Sequence, residues 1–163
     1  MKYWIDNVMY LGLLGIILLL AHLFLSYDYL FVGNESDEMG QLLAPGTFHL
    51  VRTNHLEKVD RKFLVLFLSE VSSRHQEPIL RAARVIGLPG EEISIVGGKT
   101  YINKQPLDES YAQMDPEDSL PPLRVPLRHF FVMVDKRPGT CRAGDSRGWG
   151  FLAFELVQGF RAP

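Results

Sequence analysis

Ile93-Ser94-Ile95-Val96-Gly97-Gly98-Lys99-Thr100-Tyr101-Ile102 is the stretch on which the fold turns. Two short segments rich in β-branched and aromatic side chains flank a pair of glycines. Paired glycines supply the positive φ that a tight hairpin turn needs, so the stretch reads as a β-hairpin. The same residues hold a decoy, because Gly98-Lys99-Thr100 resembles the end of a phosphate-binding loop. That loop needs a glycine five residues before Gly98, where Ile93 stands, and a strand-to-helix turn. Nucleotide binding is excluded.

Working outward, the pattern stays β-like. Thr47-Phe48-His49-Leu50-Val51 alternates in polarity, and Phe63-Leu64-Val65-Leu66-Phe67 is a continuous apolar run of strand length. Phe130-Phe131-Val132-Met133-Val134 reads as another buried strand. Residues 108–126 are acidic and proline-rich and are expected to form a surface excursion. The sequence shows no internal repeat and no amphipathic helix, so the part beyond the N-terminus is expected to be mainly β.

The N-terminus differs. Residues 8–25 are an apolar run in which His22 is the only strongly polar side chain. As a helix they span roughly 27 Å, close to the hydrocarbon thickness of a bilayer. A cleaved signal peptide would end in small residues. Here Leu23-Phe24-Leu25-Ser26-Tyr27-Asp28 places bulky groups there, which favours an uncleaved anchor. Lys2 precedes the run, and Asp28, Glu35, Asp37 and Glu38 follow it. The expected topology is single-pass in the plasma or inner membrane, with a cytoplasmic N-terminus and the remainder on the outer or periplasmic side. The expected division is an anchor over 1–29, with its transmembrane helix at about 8–25, and a β domain over 30–163. A chain of 163 residues folds as one such domain without disulfides, and Cys141 has no cysteine to pair with inside the chain. The net charge of −2 gives no sign of nucleic-acid binding.

Three blocks carry a family resemblance. Arg84-Val85-Ile86-Gly87-Leu88-Pro89-Gly90-Glu91 resembles the most recognisable block of the type I signal peptidases. Gly98-Lys99-Thr100-Tyr101-Ile102-Asn103-Lys104-Gln105-Pro106-Leu107 resembles their next hairpin. Phe131-Val132-Met133-Val134-Asp135-Lys136-Arg137 and Asp145-Ser146-Arg147-Gly148-Trp149-Gly150-Phe151 resemble the C-terminal block. Their order, spacing and preceding anchor agree with the bacterial signal peptidase I family of S26 serine peptidases. The resemblance implies an outward-facing β domain against the membrane that cleaves signal peptides after small residues. It also implies a serine nucleophile, a lysine base buried so that its pKa falls from about 10.4, and an oxyanion held by N–H and hydroxyl groups.

Carried over position by position, both dyad residues are replaced. The family lysine stands immediately before the arginine of the first block, and here that position is Ala83. Arg81 and Arg84 cannot replace it, because a guanidinium does not deprotonate in a protein. The serine block, anchored on Pro45-Gly46, gives Glu38-Met39-Gly40-Gln41-Leu42-Leu43-Ala44, so the nucleophile position is Glu38. Ser36 matches the helper hydroxyl of the oxyanion hole. A carboxylate at 38 sets negative charge where the transition state develops it, and Glu38 is expected to plug that pocket, bonded to Ser36. Asp145, Ser146 and Arg147 are retained and are expected, with Asp135, to hold the site's shape. Met39 is expected to make an apolar contact or seat a client. Thr140 is the nearest match to the serine that supports the family lysine.

Three functional readings follow. The first is a pseudoenzyme that binds exported preproteins or pilin-like subunits as a chaperone or assembly factor, in a groove suited to extended peptides. The second is an active signal peptidase with Ser36 as displaced nucleophile and one of His49, His55, His75 or His129 as base. The third is an acid pair of Glu38 with Asp135 or Asp145. Membrane lipid is the other expected partner, and no cofactor or metal is expected.

Overall fold

The computed structural model describes residues 2–31, 48–52, 56–68, 80–137 and 144–163. Helix α1 (Lys2–Ser26) runs directly into β1 (Tyr27–Phe31). The sheet therefore begins inside the segment 1–29 expected to be anchor alone. The side chains described on α1, at 9–22, are all exposed. Among the described residues, no helix is long and apolar enough to cross a membrane.

Ten further strands follow: β2 (Phe48–Arg52), β3 (Leu64–Leu68), β4 (Leu80–Gly87), β5 (Glu92–Val96), β6 (Lys99–Ile102), β7 (Gln105–Pro106), β8 (Leu120–Arg124), β9 (His129–Met133), β10 (Leu152–Ala153) and β11 (Val157–Arg161). One sheet has the order β1-β2-β11-β3-β4-β9-β10, and the other has the order β7-β6-β5-β8. The mainly β expectation holds, and the hairpin expected at 93–102 is β5 and β6. The strands expected at Phe48, Leu64 and Phe130 are β2, β3 and β9, each displaced by about one residue, within the ordinary uncertainty of boundaries.

The expected surface excursion at 108–126 is corrected. Leu120–Arg124 is a strand paired with β5, and Glu109, Asp118 and Val125 are buried. Acidic residues read as solvated unless they are paired, and here arginines pair them. Residues 107–118 form a strap laid across the ends of both sheets. The Leu107 N–H donates to the Thr100 carbonyl at 2.9 Å, Gln113 to that of Asp135 at 2.8 Å, and Gly98 to that of Asp118 at 2.9 Å.

Strand alternation distributes the core. Val65, Phe67, Ala83, Val85, Phe130, Val132 and Phe160 share one apolar cluster, on one side of the larger sheet. Ile86, Phe131 and Met133 turn the other way and pack with Ile93, Ile95 and Ile102 of the smaller sheet. Burying each such side chain contributes roughly 1.5–3 kcal/mol. Gly87 is tightly enclosed, since a Cβ there would lie 3.0 Å from both Phe131 Cβ of the neighbouring strand and Val125 Cγ2.

Gly98 has φ +76, and a Cβ there would collide with the Asp115 carbonyl oxygen of the strap. Gly98→Ala is therefore expected to lower unfolding stability by about 1–3 kcal/mol in chemical denaturation. Gly97 shares the turn but has open space, its nearest neighbour being 3.9 Å away. Gly97→Ala is expected to cost less, about 1 kcal/mol.

Candidate functional site

One row of paired residues crosses five strands of the larger sheet: Tyr27, Arg52, Phe160, Val65 and Ala83. Ala83 is thus level with the residue at which the chain leaves α1. It is 0% exposed, and the cluster around its methyl group is wholly apolar: Val59, Val65, Phe67, Val85, Phe130, Val132, Leu152, Val157 and Phe160. None of these described side chains carries a group that takes up a proton. The Trp149 ring closes one end of this face, 5.6 Å from the Phe67 ring. Ser36, Glu38, Met39 and Thr140 lie outside the described residues.

The retained C-terminal residues form a buried anchor for a single helical turn, α2 (Ser146–Trp149). Asp145 caps it by accepting from the Arg147 N–H at 3.1 Å. The same carboxylate accepts from the Val134 N–H at 3.1 Å and from the Arg147 guanidinium at 2.8 Å. Arg147 also donates to Asp118 at 2.7 Å, which ties the strap to α2. Burial opposes the charge on Arg147, but its bonds to Asp145 and Asp118 more than offset this and raise its pKa. Ser146 Oγ accepts from the Val132 N–H at 2.9 Å.

Arg84 points away from the Ala83 face, because successive strand residues alternate. Its Nε and Nη2 donate to the two oxygens of Asp135 at 2.8 and 2.6 Å, and Nη1 donates to the Lys62 carbonyl at 2.9 Å. Its guanidinium carbon lies 4.2 Å from the centroid of the Tyr111 ring. The Tyr111 hydroxyl donates to Glu109 at 3.2 Å, and Glu109 accepts from Arg137 at 2.6 Å. Burial first, then the Glu109 charge, push the Tyr111 phenol up. Burial alone would raise Glu109, but the Arg137 hydrogen bond and charge win and hold it below 4.5.

Tyr111, Glu109 and Arg137 form no visible cluster in the sequence, where they lie up to 28 residues apart. Only pairing across the strap joins them. Asp135 and Asp145 are each bonded to a buried arginine, and Glu38, the other member of the acid-pair reading, lies outside the described residues. His129 Nδ1 stands 2.9 Å from the Leu127 carbonyl in the turn before β9. Among the described residues, no group of His, Cys, Asp and Glu could hold a metal ion.

Breaking a buried pair strands a charge, so Arg84→Met is expected to cost about 3–5 kcal/mol in urea unfolding, much of it recovered on adding Asp135→Leu. The Glu109 carboxyl has a depressed folded pKa, so its stabilisation is present above pH 4.5 and lost as pH falls through the folded value. Glu109→Gln is expected to flatten that acid limb in a pH series of unfolding curves.

The relative named Signal peptidase I from Leptolyngbya laminosa is 35% identical over 108 residues, covering 64% of this chain and 52% of that protein. Probable signal peptidase I-1 of Synechocystis sp. is 41% identical over 76 residues, covering 47% and 37%. The chain spans about half or less of the length of these relatives. Signal peptidase I of Bacillus amyloliquefaciens is 26% identical over 170 residues, covering 96% of this chain and 82% of that one. A crystal structure of a signal peptidase I from Enterococcus faecalis is 27% identical with a TM-score of 0.47, covering 66% of this chain and 100% of that one. The sequence model of the family described as "Signal peptidase, peptidase S26" matches residues 5–161, and the chain belongs to that family.

Proposed function

We propose that this chain is a membrane-anchored, non-catalytic signal peptidase relative that binds exported preproteins or pilin-like subunits without cutting them. The observation that carries the reading is Ala83, fully buried in an apolar cluster at the position where the family resemblance puts the base. Serine chemistry needs a proton acceptor within hydrogen-bond reach of the hydroxyl. A methyl group offers none, and the neighbouring arginines stay protonated.

The relatives' names speak for peptidase activity, and this chain's departure from them rests on positions 38 and 83. A groove that held an extended peptide for cleavage can still hold it by strand addition when the dyad is gone.

The membrane part of the proposal rests on the apolar run at 8–25 and on strand register. Past the row of Tyr27 and Ala83, the larger sheet ends at Leu68 and Leu80, which are paired. Leu80, Trp149 and Leu156 are large apolar side chains exposed by 41–44%. Trp149 lies against Phe67, and Leu156 precedes Val157, the partner of Phe67. These three exposed apolar groups lie at the end from which α1 departs, with a tryptophan suited to the headgroup region. The proposed topology is single-pass with a cytoplasmic N-terminus and the β domain outside.

The test is to incubate the detergent-solubilised chain with a preprotein bearing an Ala-x-Ala site and follow it by mass spectrometry and co-purification. The expected result is an intact precursor retained on the chain. Cleavage at the expected site would overturn the proposal, and loss of that cleavage in Ser36→Ala would assign it to the displaced serine.

A further inference from the structure

Three buried polar atoms sit on side chains that meet at Glu109, where the strap meets both sheets: Thr100 Oγ1 on β6, Glu109 Oε2 on the strap and Arg137 Nη1 beyond β9. None has a hydrogen-bond partner among the described residues. Their residues are only 1%, 2% and 2% exposed. Arg137 uses Nη2 on Glu109 Oε1 at 2.6 Å and Nε on the Val134 carbonyl at 2.8 Å, which leaves Nη1. Glu109 Oε1 also accepts from Tyr111 at 3.2 Å, which leaves Oε2. The Thr100 carbonyl accepts from the Leu107 N–H, fixing β6 beside the strand of strap that leads to Glu109. The Thr100 hydroxyl is near enough to favour the Glu109 charge, yet makes no well-formed hydrogen bond.

Buried donors and acceptors are almost always satisfied, and internal water is the usual partner where protein groups leave a gap. The chemistry of the three atoms selects the ligand. Arg137 repels a cation and Glu109 repels an anion, so the occupant is neutral. It must accept from one N–H and donate to a carboxylate oxygen while also meeting a hydroxyl.

We propose that Thr100 Oγ1, Glu109 Oε2 and Arg137 Nη1 together hold one internal water molecule. It accepts from Arg137 and donates to Glu109 and Thr100, and three such bonds are ordinary for a buried water. The water joins β6, the strap and the segment after β9 at one point, where direct contacts link them only in pairs.

A crystal structure of the full chain grown from a lipidic mesophase tests this. The expected result is a density peak at about 2.7–3.2 Å from all three atoms. Any other arrangement overturns the proposal. Examples are Arg137 and Glu109 joined by two parallel hydrogen bonds with the Thr100 hydroxyl turned to a carbonyl, or a protein atom from residues 138–143 in that place.

Discussion

Arg84 and Asp135 meet inside the protein with two hydrogen bonds between one guanidinium and one carboxylate. Both side chains are almost fully buried, at 3% and 7% exposed. Removing either partner would strand a charge in the interior, so the pair fixes the segment after β9 against β4. Tyr111 stacks on the same guanidinium and brings the strap with it, and Glu109 with Arg137 repeats the device a short distance away. A third arginine, Arg147, ties the strap to α2 through Asp118. The acidic segment between β7 and β8 is thus held by three buried arginines, with little apolar packing of its own.

The same strand explains what happens at the neighbouring position. Residues 83 and 84 differ by one, so they face opposite sides of β4. Arg84 enters the polar lock, while Ala83 enters the apolar cluster with Val65 and Val85. A lysine at 83 would lie among valines and phenylalanines, where burial depresses an ammonium pKa by up to about 3–5 units. The surroundings suit a deprotonated lysine, and the chain supplies a methyl group instead. The larger sheet's row of paired residues keeps that position level with the exit of α1.

Much of the architecture was legible because side-chain periodicity and turn chemistry are local. Gly97-Gly98 between two β-branched runs gave away the hairpin, and Leu64-Val65-Leu66-Phe67 could hardly be anything but a buried strand. β1 was obscured because Tyr27-Asp28-Tyr29 follows an apolar helix without a break. β4 carries two arginines and two alanines, and no alternation marks it as a core strand. The burial of the strap is hidden in the sequence for a different reason. Its buried acidic side chains look solvated until Arg137 and Arg147 arrive from 28 and 29 residues away. Pairing over such distances leaves no trace in local composition. Of the candidate site, Ala83, Asp135, Asp145, Ser146 and Arg147 can be placed, whereas Ser36, Glu38 and Met39 fall outside the described residues.

The most direct test of the account is to restore the dyad. The double variant Glu38→Ser with Ala83→Lys would be assayed on an Ala-x-Ala preprotein across a range of pH. The account predicts cleavage after the small residues, with a rising limb well below the ordinary lysine value of about 10.4 because the new ammonium is buried. A double variant that folds like the native chain yet leaves the precursor uncut at every pH would contradict it. Positions 38 and 83 would then not be the places from which catalysis was lost.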